Sequence, residues 1–180
     1  MNDGQPTSTT VVLMGVSGSG KSSVLPSLAA RLGAVALEGD SLHPAANVAK
    51  MASGRPLTDE DREPWLRSIA AWIGQRERAG ETAVVACSAL RRRYRDILRD
   101  GHPSVVFVHL AVPGPELERR LAARSGHYMP ASLLPSQLAT LEPLGPDEPG
   151  FEVSSSGPAE AVADEVVARL RTTQERGPGP

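Results

Sequence analysis

The sequence predicts a three-layer α/β fold: a parallel sheet covered by helices on both faces. Short, continuous, Val-rich runs recur along the chain, and segments of helical pattern fall between them. Strands buried on both faces read as unbroken apolar runs, and a helix between parallel strands is the usual right-handed crossover. A glycine-rich turn joins the first such strand to the first helix. At 180 residues, one domain over 1–180 is expected, long enough to bury a sizeable core.

The first strand is expected over residues 11–14, the second over 35–37, the third over 83–87, the fourth over 105–110 and a weaker fifth over 151–153. The first helix should run to about residue 32, kinked by Pro26, which removes one backbone bond. His43-Pro44 opens a short helix closed by Gly54. Asp61 is expected to cap the next, with Pro64 in its first turn. There Trp65, Ile69, Trp72 and Ile73 follow i, i+4, i+7, i+8 spacing, a core-facing stripe in which both tryptophans read as packing. Further helices are expected over 91–99, 115–124 and 158–171, with loose tails over about 1–10 and 175–180.

Two excursions are long. About 45 residues separate the second and third strands, and residues 125–150, with five prolines, are expected to form a lid. Both leave from carboxyl ends of strands, where an open parallel sheet keeps its site.

The turn after the first strand reads Gly15-Val16-Ser17-Gly18-Ser19-Gly20-Lys21-Ser22, a complete G-x-x-x-x-G-K-[ST] phosphate-binding loop in strand-loop-helix context. Glycines let the backbone wrap a phosphate with N–H groups inward, and the helix start adds partial positive charge. Lys21 can reach the outer phosphates, and the Ser22 hydroxyl can ligate Mg²⁺. Lys21 is one of only two lysines, the other being Lys50.

Composition narrows the partners. A net charge of −2 and 3% aromatic residues argue against a nucleic-acid surface. The lone Cys87 excludes an internal disulfide and a Cys-based zinc site, suits a reducing cytosol, and reads as a buried structural thiol. No apolar run approaches a membrane span, and the polar N-terminus carries no signal-peptide pattern. The Arg91-Arg92-Arg93-Arg95 run reads as a solvated helix face.

Glu38-Gly39-Asp40 follows the second strand. Asp40 can orient a substrate hydroxyl and accept its proton, and Glu38 can hold Mg²⁺ through water; a solvated acidic turn is the plainer alternative. No apolar run ends in the Asp-Glu pair of an ATPase motor, and no Asn-Lys-x-Asp guanine reader is present. These absences favour transfer to a small molecule.

The following stretch narrows the family. Gly39-Asp40-Ser41-Leu42-His43-Pro44 leads to Asn47, Lys50-Met51, Gly54, Pro56-Leu57, Asp59, Asp61-Arg62 and Pro64-Trp65-Leu66. Cys87-Ser88-Ala89-Leu90, Tyr94-Arg95-Asp96, Leu98-Arg99, Arg120-Leu121, Arg124, Gly126-His127, Leu133-Leu134, Ser136-Gln137 and Thr140-Leu141-Glu142 follow in order. From about residue 12 to 142 the chain resembles the gluconate kinases. The resemblance implies transfer of the ATP γ-phosphoryl group to the terminal hydroxyl of D-gluconate. It also implies a nucleoside-monophosphate-kinase-like P-loop fold with strand order 2-3-1-4-5, and a cytoplasmic homodimer. Glu38 stands where related kinases often have Asp, and Arg91 where the family often has Lys; a planar guanidinium fork is not equivalent to an ammonium.

Residue chemistry agrees with such a substrate. A sugar acid needs a cation for its carboxylate and polar groups for its hydroxyls. Asp40, His43, Lys50 and Arg62 are candidates; a structural role at a helix N-terminus is the alternative for His43, and a solvated helix charge the alternative for Lys50 and Arg62. Arg120 and Arg124 share a helix face at the lid entrance, where kinases of this fold contact ATP; Arg124 is expected to arrive on lid closure, whereas Arg119 and Arg120 can also be surface residues. A same-fold kinase for another acceptor such as shikimate, and a non-catalytic nucleotide sensor, stay open. A nucleic-acid kinase is disfavoured.

Overall fold

The computed structural model describes residues 8–123 and 131–175. Five strands are described: β1 (Thr10–Met14), β2 (Val35–Glu38), β3 (Ala83–Ala86), β4 (Val105–Ala111) and β5 (Gly150–Ser154). All neighbours pair in parallel, in the order β2-β3-β1-β4-β5 implied by the resemblance. The helices are α1 (Lys21–Leu32), α2 (Ala45–Ala52), α3 (Asp59–Arg78), α4 (Arg92–Arg99), α5 (Gly114–Ala122), α6 (Leu134–Thr140) and α7 (Ala159–Glu175).

The central strand shows why the apolar runs are unbroken. Side chains alternate between faces of a strand. Val11 and Leu13 of β1 pack with Leu28 of α1 and Val166 of α7, while Val12 and Met14 pack with Ile69 of α3 and Leu98 of α4. Both faces are therefore dry, and β1 is buried throughout. β5 is an edge strand with one fully buried residue, which explains its weaker signal.

Local structure adds detail to the expectations. α1 reaches Leu32 with Pro26 inside it, on the helix's exposed side. Thr58, not Asp61, caps α3: its side chain accepts from Asp61 N–H while the Asp61 carboxylate accepts from Thr58 N–H, a reciprocal capping box. Within the segment expected to be a lid, residues 131–140 form a short 3₁₀ turn followed by α6. The ends expected to be loose contribute Thr10 to β1 and Glu175 to α7.

Candidate active site

The carboxyl ends of β1, β2 and β3 converge on one cavity. Its lining includes Ser17, Gly18, Gly20, Lys21 and Ser22 from the loop, Asp40 and His43 beyond β2, and Ser88 beyond β3. Arg62 and Trp65 of α3, Leu133, Ser136 and Gln137 of the 131–140 segment, and Met51, Pro56 and Leu57 complete it. Parallel strands bring these distant residues to a common rim.

The loop is braced from several directions. Gly15 N–H donates to Ser88 O at 3.2 Å, tying it to β3. Lys21 Nζ donates to Gly15 O and Val16 O at 2.9 and 3.0 Å, curling over the loop. Ser17 N–H donates to Gln137 Oε1 at 2.6 Å, which joins α6 to it. On the opposite side Ser155 Oγ donates to Ser19 O at 2.7 Å, and Arg120 spans Gly18 O and Ser155 O. Gly20, at φ 98°, is the position before α1; a Cβ there would lie 2.9 Å from Ser155 Oγ. Ser19 Oγ is buried beside Gly15 with no hydrogen-bond partner among the described residues.

Asp40 lies in the 3₁₀ turn Gly39–Leu42 that continues β2. The turn is held from beneath: Trp65 Nε1 donates to Gly39 O at 2.8 Å. The Trp65 ring also stacks on His43, with centroids 4.0 Å apart and planes 18° from parallel. His43 Nε2 stands 3.7 Å from Asp40 Oδ1. Asn47 Nδ2 lies 3.4 Å from His43 Nδ1 and donates to Asp61 O at 2.8 Å. An amide nitrogen only donates, so His43 Nδ1 accepts and Nε2 carries its proton towards Asp40. Burial pulls the His43 pKa down to about 4, against Asp40, which raises it, and with Arg62, which lowers it further. His43 is thus neutral at neutral pH, with Nε2 facing Asp40 beyond hydrogen-bond distance. Trp65 is a core residue, as the stripe implied, and also the floor of the site.

The other sequence candidates divide. Arg62 lines the cavity, donates to Leu57 O and lies over the Tyr94 ring at 5.5 Å. Lys50 is not in the lining; it pairs with Asp61 at 2.5 Å, and that contact, with the Thr58 backbone bond, holds the Asp61 carboxyl down at about 2. Lys50 therefore ties α2 to α3 through Asp61, and is neither in the cavity lining nor a solvated helix charge. Glu38 does not line the cavity either. Arg120 is a loop brace held by Glu116 at 2.7 Å, not a free surface residue. Arg124, Gly126 and His127 lie outside the described residues. Cys87 is buried, and burial with the charges of Asp40 and Glu38 pushes its thiol up to about 12 despite the Ala89 backbone bond and Lys21, which excludes a thiolate nucleophile. Trp65's second role and the lining positions of Ser88, Ser136 and Gln137 escaped sequence reasoning, although all four stand in the quoted motifs.

The donor set suits Mg²⁺. Among the described residues no group of three His, Cys, Asp or Glu side chains could cage a metal. Mg²⁺ needs no cage, because it keeps waters and takes one or two protein oxygens beside substrate phosphates. Ser22 lines the cavity at the first turn of α1. No helix among the described residues is long and apolar enough to cross a membrane.

Comparison with known proteins agrees with this geometry. Residues 11–144 match a family model described as an AAA domain. Gluconokinase of Gluconobacter oxydans is 52% identical over 89% of this chain and 90% of that protein. Among solved structures, a gluconokinase from Sinorhizobium meliloti superposes with a TM-score of 0.81 at 44% identity, covering 94% of this chain and 95% of that one. A sugar kinase from a Janibacter species reaches 0.87 at 48% identity, covering 91% and 95%. With a relative this similar spanning nine-tenths of both sequences, the chain belongs to the gluconokinase family.

Proposed function

We propose that the chain transfers the γ-phosphoryl group of ATP to the terminal hydroxyl of D-gluconate by in-line displacement, giving 6-phosphogluconate and ADP. The supporting observation is the shared cavity, which has Lys21 and Ser22 on one wall and Asp40 on another. The acceptor hydroxyl oxygen bonds to phosphorus as the bond to the β,γ-bridging oxygen breaks. The electron pair of that bond leaves with ADP, and the hydroxyl proton passes to Asp40 late in the step.

Most of the catalysis is positioning and charge neutralisation. Residues 15–22 cradle the phosphates, and Lys21 exchanges its loop carbonyls for β- and γ-phosphate oxygens. Bound Mg²⁺ would add charge compensation there, held by Ser22 and, through water, Glu38. Asp40, oriented by neutral His43 on the Trp65 floor, aligns the acceptor hydroxyl. Arg62 supplies positive charge on the acceptor side. Arg120, with Arg124 on lid closure, serves the nucleotide. The lid over 125–150 excludes water and limits ATP hydrolysis. The family resemblance supports one kinase domain over 1–180 acting as a cytoplasmic homodimer on these small molecules, without nucleic acid or membrane.

A coupled assay of ADP release tests the reading with D-gluconate, shikimate and other sugar acids as acceptors. Release that rises strongly with D-gluconate alone is expected. Release indifferent to every acceptor would support the nucleotide-sensor alternative.

A further inference from the structure

A second recess adjoins the cavity. The two share Pro56, Leu57, Arg62, Ser136 and Gln137 as a common wall, and the recess adds Thr58, Asp59, Glu60, Arg91, Tyr94 and Thr140. It therefore adjoins the cavity at Arg62, and no residue of the phosphate loop lines it.

Charge in this recess is organised around Asp59. Its carboxylate accepts from the Tyr94 hydroxyl, from Arg93 Nη1 at 2.5 Å, and more distantly from Arg91 Nη1 at 3.3 and 3.5 Å. Within the lining the guanidinium groups of Arg62 and Arg91 face the carboxylates of Asp59 and Glu60, and Arg93, outside the lining, adds a third guanidinium on Asp59. Arg93 and Tyr94 hold Asp59 closely, so Arg91 is the loosely engaged member. Both its contacts use Nη1, and its Nε and Nη2 have no further partner among the described residues.

We infer that this recess is the carboxylate subsite for a sugar-acid acceptor, and that Arg91 is its principal reader with Arg62 at the threshold. The inference rests on the proposed function. A linear sugar acid carries its reacting hydroxyl and its carboxylate at opposite ends. With the hydroxyl at Asp40, the carboxylate extends past Arg62 towards Arg91. A guanidinium fork with two unengaged donor positions matches a carboxylate bidentately. Asp59, fixed by Arg93 and Tyr94, is the positioning residue that presents Arg91.

The test compares D-gluconate with D-gluconamide, a neutral amide of nearly the same shape, in the wild type, Arg91→Met and Arg91→Lys. The wild type should prefer gluconate. Arg91→Met should raise KM for gluconate about 10- to 100-fold, the scale of one charged hydrogen-bonded contact, while KM for gluconamide and for ATP stays within about threefold. Arg91→Lys should recover part of the preference. Equal use of both acceptors by the wild type, or an unchanged preference in Arg91→Met, overturns the assignment, and the first of these needs no variant to fold. Absence of any gluconate-dependent ADP release in the wild type would instead overturn the proposed function itself.

Discussion

The sharpest stability prediction concerns Glu148. Its carboxylate accepts from Arg95 Nε at 2.6 Å, Arg95 Nη2 at 2.9 Å and Gly145 N–H at 2.8 Å, and both charged side chains are fully buried. Arg95 thus corrects the expectation of a solvated helix face: its side chain turns into the core and spends its other donations on Ala89 O, Leu90 O, Glu142 O and Pro143 O. The pair therefore locks the segment after α6 to the turn after β3, whose Ala89 holds an unfavourable φ of 43° and whose Ser88 supports the phosphate loop. Glu148→Ala strands a guanidinium among carbonyls with no counter-charge. Breaking one side of a buried pair costs about 3–5 kcal/mol. For a chain of this size that lowers Tm by roughly 6–20 °C. Urea unfolding followed by circular dichroism measures it, with an unchanged m-value as the check that the same transition is compared. The double variant Arg95→Met/Glu148→Leu should lose less than the two single losses added together, because no charge is left alone. A Glu148→Ala protein within about 1 kcal/mol of wild type would refute the lock.

Three further outcomes follow from the site. Lys21→Ala should lower kcat by roughly 10²–10³, the scale of one strong transition-state donor, and near-normal turnover in a steady-state assay would remove Lys21 from the chemistry. Gly39→Ala should destabilise by about 1–3 kcal/mol and impair acceptor use, because a Cβ there runs into the Ala86 carbonyl beside Asp40; Gly157→Ala, with nothing within 4 Å, is the neutral control in the same melt. His43, with its pKa lowered to about 4, stays neutral in the fold where the unfolded chain already binds a proton below about pH 6.5. The unfolded state then holds more protons, so stability declines as pH falls from about 6.5 to 4. His43→Gln should flatten that part of the pH–stability curve, and a His43 imidazole NMR titration centred near 6.5 would contradict it.

The fold was legible where one physical cause dominated. Burial on both faces made β1, β3 and β4 continuous apolar runs, and β3 misled by one residue because Cys87 still donates to Leu13 O beyond its end. The loop was legible because glycine spacing, lysine and hydroxyl all answer to a phosphate. The start of α3 was misplaced because Thr58 and Asp61 are both capping residues, and only their reciprocal bonds show which is the cap. Tertiary partnerships were not legible. Nothing in the charge of Lys50 distinguishes a substrate contact from Asp61 eleven residues on. The period that put Trp65 in the core is silent on the ring above it, and the reach of Gln137 to Ser17 spans 120 residues. Such contacts depend on how α2, α3 and α6 meet over the strand ends.

The central claim is that one carboxylate, Asp40, steers the acceptor while the loop holds the nucleotide. Asp40→Asn tests it most directly, with ATP binding by calorimetry and gluconate-dependent ADP release measured on the same preparation. The account predicts nucleotide affinity within about threefold of wild type and phosphorylation reduced by at least about 10²-fold. Equal loss of both, or retained phosphorylation, would contradict it.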